Sequence, residues 1–270
     1  PVIESYKLSA THLNNFIDIT RGGPRQFLTN NLLRFPTAKS PAADFGTAIH
    51  KSLQFAHDKF KVDQQLPSQA QIIDFFQQQL TSYHLAKEDF DTYLERGQLA
   101  LKAFLENKLD SFSVDQMTEL DFKKQGSMVG PARLTGALDL VNIDQQQKTI
   151  FVTDYKTGKP SLDWKGKTDY EKIKLHKYQQ QLMFYQLLSE NSRDYSKYNF
   201  IGGKLQFVEP TDDGDIVSLD SNFTPEDLER FRRLIEVVWQ KIVNLDLPDT
   251  SNYPQNYKGL LQFEQDLLDN

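Results

Sequence analysis

The chain has 270 residues, 39% hydrophobic and 25% charged, with a net charge of −6 and no cysteine. That length allows one large domain or two small ones, and the missing thiols exclude disulfides, thiolate zinc sites and iron–sulfur ligation. No window approaches the roughly 18 apolar residues of a membrane span and no secretory signal opens the chain, so a cytoplasmic protein without a membrane partner is expected.

The N-terminal part reads as helical. Thr11 can cap a helix running through Phe16 and Ile19, and Gly22-Gly23-Pro24 breaks it before a second helix to about Leu33. Phe45, Ile49, Leu53, Ala56 and Phe60 recur at helical spacing and define a third. Segments 68–80 and 87–109 supply two more, with apolar stripes such as Phe90, Leu94, Leu101 and Leu105. A linker-like loop is expected between Asp63 and Gln69. From Met117 to Lys156 strand signals dominate, including one strand over 134–143 and another through the β-branched and aromatic run Ile150-Phe151-Val152-Thr153. Helical periodicity returns over 170–188, a strand follows over 200–208, and Asp212-Asp213-Gly214-Asp215 makes an acidic turn. Thr224-Pro225-Glu226-Asp227 is a helix start with a capping threonine, proline at the first helical position and acids in the first turn. The expected fold is α/β: a small mixed β-sheet flanked by helices, with a large N-terminal helical region. Residues 1–110 are read as a mainly helical lobe and 111–270 as the α/β core of a single domain.

The informative segment is Asp154-Tyr155-Lys156-Thr157-Gly158, at the end of the apolar run. Residues two apart on a strand share a face, so Asp154 and Lys156 point the same way. The polar stretch 144–148 can turn the preceding strand back, and the hairpin brings Asp139 beside Asp154. Two carboxylates and a lysine on adjacent strands suit metal-dependent phosphodiester hydrolysis, with hard oxygen ligands selecting magnesium or manganese. Two carboxylates that close repel, so at least one should have a raised pKa without a cation. Lys156 can orient or help deprotonate water and stabilise transition-state charge. His50 shares a helical face with Gly46, and Tyr178, Gln181 and Tyr185 share another.

The order Gly136-Ala137-Leu138-Asp139, then Asp154 to Gly158, then Gln181-Leu182-Met183-Phe184-Tyr185 resembles the PD-(D/E)XK nucleases of the RecB type, often fused to the C-terminus of superfamily 1 helicases. Ser9 to Phe16, Pro24-Arg25-Gln26-Phe27, Leu32-Leu33 and Phe45 to His50 are similar to the family's N-terminal helical segments, and nearly the whole chain follows the pattern. The resemblance implies a restriction-endonuclease-like core and a DNA nuclease, read as an exonuclease on single strands or DNA ends in recombination and repair. It implies His50, Asp139, Asp154 and the backbone carbonyl of Tyr155 as ligands of Mg2+ or Mn2+, and Gln181 as support for the catalytic lysine or the DNA backbone. It places Tyr178 and Tyr185 on the nucleic acid and Arg25 on phosphate, while Phe27 reads as core. Glu119 matches an acidic residue of the family's first strand, and is either an outer-shell carboxylate or an exposed strand residue. Several relatives hold an iron–sulfur cluster; here Gly23 stands at the first cysteine's place and 252–257 offers no thiol.

From Asp154 to Lys177, seven lysines (156, 159, 165, 167, 172, 174, 177) face four acids (Asp154, Asp163, Asp169, Glu171). The cluster, Lys159 included, can meet phosphates, or it can be a solvated loop. Gly166-Lys167-Thr168 lacks the earlier glycine of a phosphate loop, since Ser161 stands there, and no strand leads into it. With no helicase motor motif present, a helicase domain in the same or a partner chain is the expected partner. The start at Pro1 reads as an excised piece of a longer polypeptide. Two other readings are a catalytically silent nuclease-fold module that binds DNA or scaffolds a helicase complex, and a standalone nuclease of the CRISPR spacer-acquisition type. The presence of Asp139, Asp154 and Lys156 together disfavours the first.

Overall fold

The computed structural model of the chain describes residues 3–36 and 38–269; Pro1 lies outside them. Helix α1 (Ala10–Ile17) is capped by Ser9, whose hydroxyl accepts from the His12 amide at 3.2 Å. The cap therefore lies two residues before the expected Thr11. Helix α2 (Gly23–Phe27) runs into a π-helical turn over Leu28–Leu32. Helix α3 (Pro41–Asp63) begins earlier than its apolar stripe, because Ser40 caps it and Pro41 takes the first helical position.

Helices α4 (Gln69–Thr81) and α5 (Lys87–Lys108) follow. Gly97 of α5 allows its approach to α4, since a Cβ there would lie 2.1 Å from the Phe76 ring. The expected linker between Asp63 and Gln69 is a short connection ending in a Ser68–Gln71 capping box, and α3 and α4 pack directly on each other.

A five-stranded sheet has the order β1 (Gln116–Asp121), β4 (Ala137–Asp144), β5 (Thr149–Lys156), β6 (Asn199–Phe207), β7 (Ser218–Asp220). Strands β2 (Met128–Val129) and β3 (Ala132–Arg133) form a separate small hairpin. In the five-stranded sheet β5 and β6 pair in parallel, and helix α6 (Asp169–Glu190) makes the crossover that such a pair requires. Both faces of β5 are covered, which is why its sequence is a continuous apolar run rather than an alternating one.

The sheet divides the core in two. Ile150, Val152 and Leu205 join α1, α2, α6, α7 (Pro225–Val243) and α8 (Tyr257–Asp269) on one side. Leu140, Tyr155 and Val208 join α3, α4 and α5 on the other. The expected helical lobe is thus split by the sheet: α1 and α2 bury Leu13, Phe16, Ile17 and Phe27 against α6 and its neighbours, away from α3–α5. Helix α8 and strand β7 had no clear pattern in the sequence. The apolar positions of α8 are interrupted by glutamines, and Leu260, Phe263 and Leu267 show their meaning only once buried. Buried Glu264 ties α8 to α6, lying 2.7 Å from His176 Nε2 and accepting from Gln180 Nε2 at 2.8 Å.

Candidate active site

The antiparallel register of β4 and β5 runs from Asp144–Thr149 to Leu140–Thr153, so the next step sets Asp139 opposite Asp154 at the end of the pair. There the ladder stops, and Asp139 Oδ2 accepts from the Tyr155 amide at 2.9 Å. Helix α3 approaches the strand ends from one face of the sheet and α6 from the other.

On the α3 side, His50 Nδ1 lies 3.4 Å from Asp139 Oδ2. Donor atoms of His50, Glu119 and Asp139 all fall within 4.8 Å of one another. They line a cavity of about 630 Å³ together with Ala43, Gly46, Thr47 and Thr157. Gly46 lets the helix come close to the strand end: a Cβ there would sit 3.2 Å from Thr157 Oγ1. Glu119 owes its orientation to a backbone departure inside β1, a left-handed φ of 47°. Such a conformation costs a non-glycine residue roughly 1 kcal/mol or more and is retained where the surroundings impose it.

On the α6 side, Asp154 is 1% exposed. Its Oδ1 accepts from Tyr185 Oη at 2.7 Å and Gln181 Nε2 at 2.9 Å, and its Oδ2 lies 2.6 Å from Lys156 Nζ. Gln181 closes the ring, because its Oε1 accepts from Lys156 Nζ at 2.7 Å. The Lys156 ammonium also stands 4.4 Å over the Tyr178 ring, an arrangement that stabilises a desolvated cation. The amide of Gln181 thus finds the polar partners that its apolar neighbours demanded.

Burial raises the Asp154 pKa and the charge of Asp139 adds to the rise, outweighing Lys156 and Tyr185. For Asp139 burial acts upward too, but the hydrogen bond and charge of His50, with Lys156 and the Tyr155 amide, hold it below the ordinary carboxylate value. Burial works against the His50 cation, yet Asp139 and Asp154 raise its pKa. Glu119 is raised by partial burial and by the charge of Asp139, against the pull of His50. The Lys156 charge is penalised by burial and more than restored by Asp154. Carboxylates crowded together with an imidazole, where the charge of Asp139 raises the proton affinity of Glu119 and Asp154, have the donor chemistry that a divalent cation relieves. The residues present therefore fit such an ion.

The structure brings His50, Asp139, Asp154, Lys156, Gln181, Tyr178 and the Tyr155 backbone together. Tyr185, expected on nucleic acid, is 5% exposed and its hydroxyl is committed to Asp154. Arg25 projects from the exposed side of α2, where Asp249 feels its charge. Lys159 is exposed, 3.8 Å from Asp212. Sequence reading missed the support behind the strand end. Arg96 of α5 holds Glu209 through Nε at 2.6 Å and Nη2 at 2.8 Å, and Glu209 Oε1 accepts from the Gly158 amide just past Lys156. Arg96 and Glu209 are 113 residues apart, so no local signal could pair them. His57, two turns beyond His50, is an ordinary buried residue 2.9 Å from the Tyr155 hydroxyl.

A family model described as the PD-(D/E)XK nuclease superfamily matches residues 7–254. No curated protein matches the chain.

Proposed function

The chain belongs to the PD-(D/E)XK nuclease superfamily, and from that premise we propose that it is a Mg2+- or Mn2+-dependent deoxyribonuclease. The observation that carries this reading is the juxtaposition at one strand end of the His50–Glu119–Asp139 donor set and the buried Asp154–Lys156 pair. His50, Asp139, Asp154 and the Tyr155 carbonyl would hold the ion, and the cavity geometry adds Glu119 to that set. A divalent cation bound there supplies Lewis-acid polarisation of the phosphate and a water acidic enough to attack near neutral pH.

The chain's own residues do the rest. Lys156 carries a positive charge beside the donor set, where it orients the attacking water and offsets charge developing on the phosphate. Gln181 and Asp154 fix the Lys156 side chain, so little reorganisation is needed as charge develops. Tyr185 donates to Asp154 and keeps that carboxylate aimed at the lysine. Glu209 and Arg96 hold the backbone at Gly158, and with it the direction in which the strand end presents Lys156.

The RecB-type motif order supports a finer reading: an end-directed exonuclease working in recombination or repair beside a helicase domain in the same or a partner chain. Degradation of end-labelled single- and double-stranded DNA with Mg2+ or Mn2+ tests it. Cleavage by wild type that disappears in Asp139→Asn and Lys156→Ala is the expected result. DNA binding without cleavage under either metal would replace it with the catalytically silent module.

A further inference from the structure

Helix α6 carries a stripe that the site above uses only at its inner end. Tyr170, Lys174, Tyr178, Gln181 and Tyr185 follow one another at spacings of four, four, three and four, within an arc of roughly 80° at 100° per residue. At the inner end Gln181 and buried Tyr185 bond Asp154, and partly buried Tyr178 lies under the Lys156 ammonium. The outer end is open. Tyr170 is 67% exposed, in the first turn of the helix.

Between them, Lys174 Nζ stands 5.9 Å from the Tyr178 ring centroid and 5.8 Å from that of Phe207. The loop that delivers this end of α6 is anchored. Trp164 Nε1 donates to the Asp220 carbonyl at 2.8 Å, and Lys174 Nζ to the Lys159 carbonyl at 3.4 Å. Of the two acids that flank Tyr170, Glu171 is turned away, because its Oε2 accepts from the Lys167 and Thr168 amides, while Asp169 is exposed. Lys159, Lys165 and Lys167 are exposed along the same loop. Lys177 borders the same stripe but is spent on Asp18, 2.7 Å away.

An exposed ring, a cation and a second ring leading over about 12 Å of helix (1.5 Å per residue) to a catalytic lysine make a stacking track for unpaired bases. A base pair within a duplex keeps its faces stacked and cannot use it. Resting on the nuclease reading, we propose that the outer α6 stripe is a binding site for single-stranded DNA: Tyr170 stacks one base, and Lys174 meets the phosphate on the strand's way to Lys156. The site selects single strands and frayed ends over intact duplex.

Fluorescence anisotropy of the 270-residue chain in EDTA, with a labelled oligo(dT) and a blunt hairpin duplex of equal nucleotide number, tests this apart from cleavage. Tyr170→Ala should weaken oligo(dT) binding about tenfold while Tyr170→Phe retains it, since stacking needs the ring and not the hydroxyl. Lys174→Gln should flatten the salt dependence of the same binding. Duplex affinity should be unchanged by Tyr170→Ala. Undiminished oligo(dT) binding by Tyr170→Ala, or equal losses for both ligands, overturns the proposal. Cleavage of the same oligo(dT) by wild type with Mn2+ reports separately on the nuclease reading: metal-independent stacking without hydrolysis would sink that reading and leave this site standing.

Discussion

The two sides of the strand end are built on different principles. Towards α3, Glu119, His50 and Asp139 face a cavity with a single close contact among them, His50 to Asp139 at 3.4 Å. Towards α6, Asp154 and Lys156 sit in a closed ring with Gln181 and Tyr185, every link at hydrogen-bond distance. The electrostatics follow the same division, since Asp139 is held low by His50 while burial pushes Asp154 up. One half is closed by hydrogen bonds and an ion pair, and the other is arranged around a space that a cation fits. Asp154 belongs to the first and borders the second, so it couples the lysine to the donor set.

The largest expected effect breaks both halves at the chemistry. Lys156→Ala should lower the DNA cleavage rate by roughly 10²–10⁴-fold, as loss of a positioned acid–base or charge-stabilising group does; single-turnover rates at saturating metal measure it. Stability should separate the halves. Lys156→Met leaves the buried Asp154 without its cation and should cost roughly 3–5 kcal/mol in urea unfolding. By contrast, His50→Gln on the open side should cost less than about 1 kcal/mol. Equal losses would show that the closed ring has no special weight.

Two histidines of α3 sharpen the contrast. His50 is raised by its carboxylates, whereas burial lowers His57 to about 4. Because the folded pKa of His57 lies below the ordinary 6.5, the unfolded chain takes up the proton first as pH falls. The contribution of His57 is complete above about pH 6.5 and lost progressively down to about 4, amounting to roughly 3 kcal/mol at most. Urea unfolding across that range should show this slope in wild type, and His57→Leu should remove it.

Metal should stabilise through the donor set around Asp139. Mn2+ at about 100 times its dissociation constant should add about 2.7 kcal/mol to wild type and nothing to Asp139→Asn, read as a shift in melting temperature. The smallest effect is at the distorted strand residue. Glu119→Gly removes the left-handed strain and one member of the carboxylate cluster, so stability should change by less than about 1 kcal/mol while the Mn2+-induced shift shrinks. A large destabilisation with an unchanged metal shift would remove Glu119 from the donor set.

Much of the closed half could be read from the chain. Asp154 and Lys156 share a strand face and Gln181 and Tyr185 a helix face, so local periodicity alone assigned each pair. The open half was only partly legible. His50 stood out because Gly46 precedes it by one helical turn, while Glu119 stayed between an outer-shell carboxylate and an exposed strand residue, because a φ of 47° inside a strand breaks the alternation by which strand faces are read. The single helical lobe was misjudged for a related reason. Amphipathic periodicity says that a helix has a buried face and is silent on which side of a sheet receives it.

Local order was therefore written in the sequence: the capped helices, the buried run of β5, the hairpin that pairs Asp139 with Asp154, and the motif residues themselves. These rest on interactions between residues a few positions apart, whose geometry the backbone dictates. The tertiary structure alone decided the rest. It set α1 and α2 across the sheet from α3–α5, carried Glu119 to the cavity, and joined Arg96 to Glu209 behind Gly158. Each of those depends on the packing of segments far apart in the chain, and such contacts leave no periodicity for a sequence to display.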